Sequence, residues 1–225
     1  MKAGWLLCGL LGLPAAQAVA HPHVIAEYSA VPLHDGAGRI SGLVLRWQLD
    51  AATSAQVRQA NAAHRDGRLT PEELAAFART NQTLLAPQRY LLQIDQADAG
   101  EPLAWELAGP VTAIEEEAEG PGTAPRIAMR FEVQFEPDSL SAAAAGSAGE
   151  TAFTVSVFDP TWYIALRAAP LSAARADDGC TITTQRRTRL TFALGPREVE
   201  QLLFRCAPAE PARLRAHAPP RTGLP

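Results

Sequence analysis

Ile127, Met129, Phe131, Val133 and Phe135 alternate without a break with Ala128, Arg130, Glu132, Gln134 and Glu136. Side chains of a strand point to opposite faces with period two, so this run buries one face only as a strand in a sheet that is wet on its other side. Such a strand needs partners of its own kind, and the chain supplies them. Leu43, Leu45, Trp47 and Leu49 alternate with Val44, Arg46, Gln48 and Asp50. Earlier, Val24, Ala26 and Tyr28 take one face and His23, Ile25 and Glu27 the other. Further short strands are predicted over 88–95, 105–107, 111–114, 153–157, 164–167, 181–185 and 188–194, with a short helix over 196–203.

One stretch breaks the period. Ala51 to Ala63 is rich in helix formers, and Thr70-Pro71-Glu72-Glu73 is a helix start. Thr70 can cap, Pro71 suits the first helical position, and Glu73 completes a capping box. Leu74, Phe77, Ala78, Leu84 and Leu85 give that helix an apolar stripe. The expected fold is therefore mainly β with α+β character. It is an antiparallel β-sandwich-like domain over 21–206 with a helix–loop–helix inserted at about 51–86. After Ala207, Pro, Ala and Arg dominate and apolar periodicity ends, so 207–225 reads as a disordered tail.

The first 20 residues read as a signal peptide. Met1-Lys2 is a positive start, Trp5 to Leu13 an apolar run too short for a permanent span, and Ala-x-Ala occurs twice, at 16–18 and 18–20. Export to the periplasm is expected, with no membrane insertion after cleavage. About 205 residues then remain, and the chain is 47% hydrophobic with a net charge of -4. No continuous basic surface points to a nucleic-acid partner. Cys180 and Cys206 are the cysteines left after cleavage, and an even pair in an exported chain predicts a disulfide. A thiolate metal pair is the alternative, although the spacing matches no compact motif.

Cleavage after Ala20 makes His-Pro-His the mature start. A strand beginning there puts His21 and His23 on one face, beside a new α-amine, which is a donor set for copper, nickel or zinc. Pro22 has no N–H, which excludes the square-planar mode that needs a deprotonated second amide. A histidine-brace-like arrangement remains, or two imidazoles with a carboxylate, for which Asp159 is the candidate. Asp159 also reads as an Asp-Pro turn residue bonding its own backbone. Cleavage after Ala18 would remove the amine ligand.

Two acidic features carry weaker chemistry. Setting Gly67 and Glu73 at the glycine and final glutamate of an EF-hand loop places Asp66 and Glu73 correctly. Ala62 and His64 then occupy the first and third ligand positions. A shaped turn without calcium affinity is expected. The run Glu115-Glu116-Glu117, with Glu119, is expected to be a solvated turn.

The order of four motifs is more specific. His-Pro-His-Val at 21–24 is followed by a strand bearing Trp47, by Asp-Gly-Arg-Leu-Thr-Pro-Glu-Glu-Leu at 66–74, and by Phe-Asp-Pro-Thr-Trp-Tyr-Ile-Ala at 158–165. This resembles a family of exported bacterial proteins of unknown function labelled periplasmic component of an uncharacterised ABC-type transport system. That family typically begins His-Pro-His-Val and carries Tyr-Asp-Pro-Thr-Tyr-Tyr near its end. Here Phe158 and Trp162 replace tyrosines and keep aromatic bulk. Genes of the family often neighbour permeases of the nickel/cobalt efflux type, so the resemblance implies metal handling. A two-lobed solute receptor does not fit one core of this size. The expected function is an exported transition-metal-binding accessory, carrier or partner of an inner-membrane metal permease. The alternative is an extracytoplasmic interaction domain whose His-Pro-His start is structural. No nucleophile or acid–base pair is recognisable, so an enzyme is not expected, and a histidine-brace metalloenzyme stands third.

Overall fold

The structure, a computed structural model, describes residues 23–61, 67–98, 100–117, 123–136, 139–140, 150–169, 179–192 and 194–207. Residues 1–20, read above as a signal peptide, lie outside the described residues, as do His21, Asp66 and the stretch beyond 207.

Two sheets share one apolar interior. The first contains β1 (Val24–His34), β2 (Ile40–Leu49), β4 (Trp105–Leu107), β5 (Thr112–Glu116), β6 (Arg126–Phe135) and β8 (Ile164–Ala168). Its order is β4-β6-β2-β1-β8, and β5 also pairs with β6. The second runs β3 (Leu92–Gln96), β7 (Thr151–Val157), β10 (Gly195–Cys206), β9 (Cys180–Thr191). Pairing between these strands is antiparallel except for β1 with β8, which is parallel. The alternation read in the sequence fixes which face is buried: Tyr28, Leu43, Leu45, Trp47, Met129, Phe131 and Val133 turn inward from the first sheet. Phe153, Val155, Leu202 and Phe204 are buried in the second. Each such side chain contributes about 1.5–3 kcal/mol by leaving water. Phe153 lies parallel to Phe204 at 4.8 Å and edge-on to Phe135 at 5.8 Å, which joins the sheets through aromatic contact. Gly42 has no side chain for a structural reason: a Cβ there would overlap the Val133 carbonyl of β6.

Between β2 and β3 the chain makes the helices α1 (Ala51–Asn61) and α2 (Pro71–Leu85). Asp50 Oδ1 accepts from the Thr53 N–H at 2.7 Å and starts α1. Ser54, fully buried, accepts from the Ile127 N–H at 3.1 Å and so fastens α1 to β6. The capping box of α2 forms as expected. Glu73 N–H donates to Thr70 Oγ1 at 3.2 Å, and Thr70 N–H donates to Glu73 Oε2 at 2.8 Å.

Three readings need correction. The helix expected over 196–203 is strand β10, whose residues pair with both β7 and β9. The two strands expected over 181–185 and 188–194 are the single strand β9. The strand expected from Gln88 begins only at Leu92, because Ala86–Leu91 is a kinked turn. There Arg89, Tyr90 and Leu91 have φ of 48°, 54° and 53°, a left-handed conformation that costs non-glycine residues about 1–2 kcal/mol each. Tertiary contacts hold it: Leu91 is buried, the Tyr90 ring meets Phe131 at 5.6 Å, and the Arg89 guanidinium sits 4.6 Å over Trp105.

Cys180 and Cys206 face each other across β9 and β10 with Cα atoms 4.0 Å apart and form the expected disulfide.

Candidate functional site

The parallel pairing of β1 with β8 sets Val24 beside Ile164 and so brings the His23 end of the chain to the Phe158–Tyr163 turn. The Tyr163 carbonyl accepts from both the His23 N–H (2.9 Å) and the Val24 N–H (3.2 Å). The imidazole of His23 lies 4.9 Å from the Tyr163 ring, tilted by 39°. His23 is exposed. Its backbone is thus fixed while its ring is presented at the surface.

Asp159 orders this turn from within. Its Oδ1 accepts from the Thr161 N–H (2.8 Å) and the Thr161 hydroxyl (2.7 Å), and its Oδ2 accepts from the Ile164 N–H (2.9 Å). The residue is 4% exposed. Three hydrogen bonds to a carboxylate are of the strong, charge-assisted kind, and they hold Trp162 at a φ of 59°. The turn reading of Asp159 describes this geometry, with both carboxylate oxygens accepting from the turn. Neighbours brace the turn further. The Pro160 carbonyl accepts from the Phe192 N–H at 3.0 Å, and the Arg197 guanidinium lies 6.0 Å over the Trp162 ring. Neither Phe192 nor Arg197 stood out in the sequence, because contacts made across about 30 positions leave no local pattern.

Elsewhere the sequence candidates have structural partners. Glu115, Glu116 and Glu117 are ion-paired, which for the first two corrects the expectation of a solvated turn. Glu119 lies outside the described residues. Glu115, its side chain 5% exposed, lies 3.5 Å from Arg68 and 3.9 Å from Arg58. Glu116 accepts two hydrogen bonds from Arg46 and one from Gln48 at 2.9 Å, and Glu117 accepts from Arg68 at 3.0 Å. The bond to Glu117, with the nearby Glu115 charge, pushes Arg68 further toward its charged form. Of the EF-hand-like pair, Glu73 is engaged in the capping box. Among the described residues no three His, Cys, Asp or Glu side chains gather as a metal site, and no helix is long and apolar enough to cross a membrane.

Two facing sheets, a helical pair inserted between the second and third strands, and a surface histidine seated on an aspartate-ordered turn define a β-sandwich-like α+β protein. The chain belongs to the family described as Protein of unknown function (DUF1007), whose model matches residues 6–190 and so spans both end motifs. No curated protein matches it. Among solved structures it is similar to the acetylcholine-binding protein type 1 of Biomphalaria glabrata (BgAChBP1). Identity there is 12% and the TM-score 0.33, with 89% of this chain and 91% of that one covered, a likeness that carries no argument.

Proposed function

We propose that this protein is an exported transition-metal-binding accessory that works beside a membrane metal permease. The observation that carries the reading is the seat of His23: an exposed imidazole on a backbone fixed by two hydrogen bonds to Tyr163, two residues after the expected mature start. Histidine nitrogen suits copper, nickel and zinc alike. His23 is the imidazole that the described residues place at this start, and the His21 imidazole and the new α-amine would complete the set. Asp159 is left out of it. The disulfide supports export, since such bonds persist in oxidising compartments.

Intact mass of the protein purified after export, with metal analysis of the same sample, tests the reading. A first residue of His21 and about one bound metal ion per chain are expected. A first residue of Val19 removes the amine ligand and leaves a two-imidazole site; metal uptake no greater than that of the His21→Ala, His23→Ala variant overturns the reading. The interaction-domain reading would then stand.

A further inference from the structure

Between Arg186 and Glu200 the chain carries four arginines against two glutamates, Glu198 and Glu200, a local excess of two positive charges within a protein of net charge -4. These residues form the distal half of the β9–β10 hairpin, in which Arg189 pairs directly with Arg197. Like charges placed opposite one another disfavour a strand pair and favour an anion between them. Arg186, Arg187 and Arg197 are exposed, and none of the four is in an ion pair among the described residues.

The end of the same hairpin is apolar. Leu190 is 74% exposed and Phe192 86%, the two most exposed large hydrophobic side chains described. The hydrogen bond from Phe192 to Pro160 joins this end to the turn that carries Trp162 and Tyr163, the latter 49% exposed. A protruding apolar end, aromatic residues beside it and a collar of arginines behind it match a bilayer surface. Leucine and phenylalanine enter the acyl boundary, guanidinium groups bond lipid phosphates, and tyrosine and tryptophan take the wet interface. An acidic protein partner would account for the collar but not for isolated apolar side chains that stand out from it.

We propose that the β9–β10 hairpin end is a membrane-docking device that takes the surface of an anionic phospholipid bilayer. Its basic end on an acidic protein makes a charge asymmetry that turns this end toward negative lipid. The inference rests on the hairpin alone and goes beyond the metal reading. If both hold, docking would carry His23, packed beside Tyr163, to the membrane side.

The test is sedimentation of the mature, metal-free protein with vesicles of phosphatidylglycerol and phosphatidylethanolamine, against vesicles of phosphatidylcholine. Binding to the first and not the second is expected, and it should fall as salt rises. The pair Leu190→Ser, Phe192→Ser should lower partition about tenfold or more. The pair Arg186→Gln, Arg187→Gln should remove most of the preference for anionic lipid. All four side chains are exposed, so far-ultraviolet dichroism should match wild type. His23→Ala should bind vesicles like wild type, which separates this result from the metal question. No binding to anionic vesicles at low salt overturns the proposal. So does binding that survives both pairs of substitutions, or self-association that Phe192→Ser abolishes without any vesicle binding in the wild type.

Discussion

The Tyr28 hydroxyl crosses the sandwich and donates a 2.6 Å hydrogen bond to the Glu200 carbonyl oxygen. Tyr28 belongs to β1 and Glu200 to β10, so one fully buried phenol ties the two sheets together. The Glu200 carboxylate extends the link, accepting from the Ala168 N–H of β8 at 3.1 Å. Burial pushes the phenol above its ordinary value, with the nearby Glu200 charge adding to the effect. The protonated form is the one that the fold requires. Its stabilisation is therefore complete below the unfolded tyrosine value of about 10 and is lost as pH rises beyond it. Tyr28→Phe is expected to cost about 1–2 kcal/mol at neutral pH. It should also flatten the alkaline loss of stability. Urea unfolding at neutral pH and above pH 10 checks both; equal alkaline slopes in the two proteins would show that another group titrates.

Much of this architecture was legible because solvent covers one face of most strands. In β6 buried residues alternate with exposed ones and in β2 with half-buried ones, and the alternation names the strand and its inner face together. β10 failed that reading for a physical reason: Val199, Gln201, Leu202, Leu203 and Phe204 are all buried, so both of its faces are covered and alternation is lost. What remained, Val199, Leu202 and Leu203 among glutamates and glutamine, has helical spacing. The left-handed Arg89-Tyr90-Leu91 turn contains no glycine or asparagine to announce it and exists only through its packing on Phe131 and Trp105. The meeting of His23 with Tyr163 depends on a parallel pairing across about 140 residues, which neither segment encodes alone.

The cap of α2 supports a second prediction. Glu73 is bound to the Thr70 N–H, so its carboxylate serves the helix start. Thr70→Ala should destabilise the protein by about 1 kcal/mol in chemical denaturation. Calorimetric titration with calcium should show no heat that Glu73→Gln removes. Micromolar binding that Glu73→Gln abolishes would restore the calcium reading of this loop.

The Cys180–Cys206 bond joins positions 26 apart. In the chain-entropy account, closing a loop of that size stabilises by about 3 kcal/mol. Replacing both cysteines with serine should lower unfolding stability by an amount of that order, while the native β9–β10 pairing stays in place. Thiol labelling of unfolded, unreduced protein should give essentially no signal. Two labelled thiols would show that the bridge is absent from the isolated protein.

His23 and Asp159 adjoin the same turn, and substitution should separate their roles. His23 is exposed and holds its neighbours through its backbone N–H, which alanine keeps. His23→Ala should therefore leave stability within about 0.5 kcal/mol of wild type. Under the metal reading it should also lower affinity for copper, nickel or zinc by orders of magnitude. Asp159→Ala removes the acceptor of three hydrogen bonds, two of them from the backbone, at a residue almost closed to water. Leaving such donors unpaired should cost about 2–3 kcal/mol, seen as a lower denaturation midpoint. Asp159→Asn keeps one acceptor oxygen for Thr161 but sets an amide against the Ile164 N–H, so it should fall between alanine and wild type. Titration of the three variants at a temperature where all are folded then assigns the residues. Loss of affinity in His23→Ala with retention in Asp159→Asn makes histidine the ligand and aspartate the residue that shapes its seat. Equal loss in both, with stability unchanged in Asp159→Asn, would return Asp159 to the ligand set.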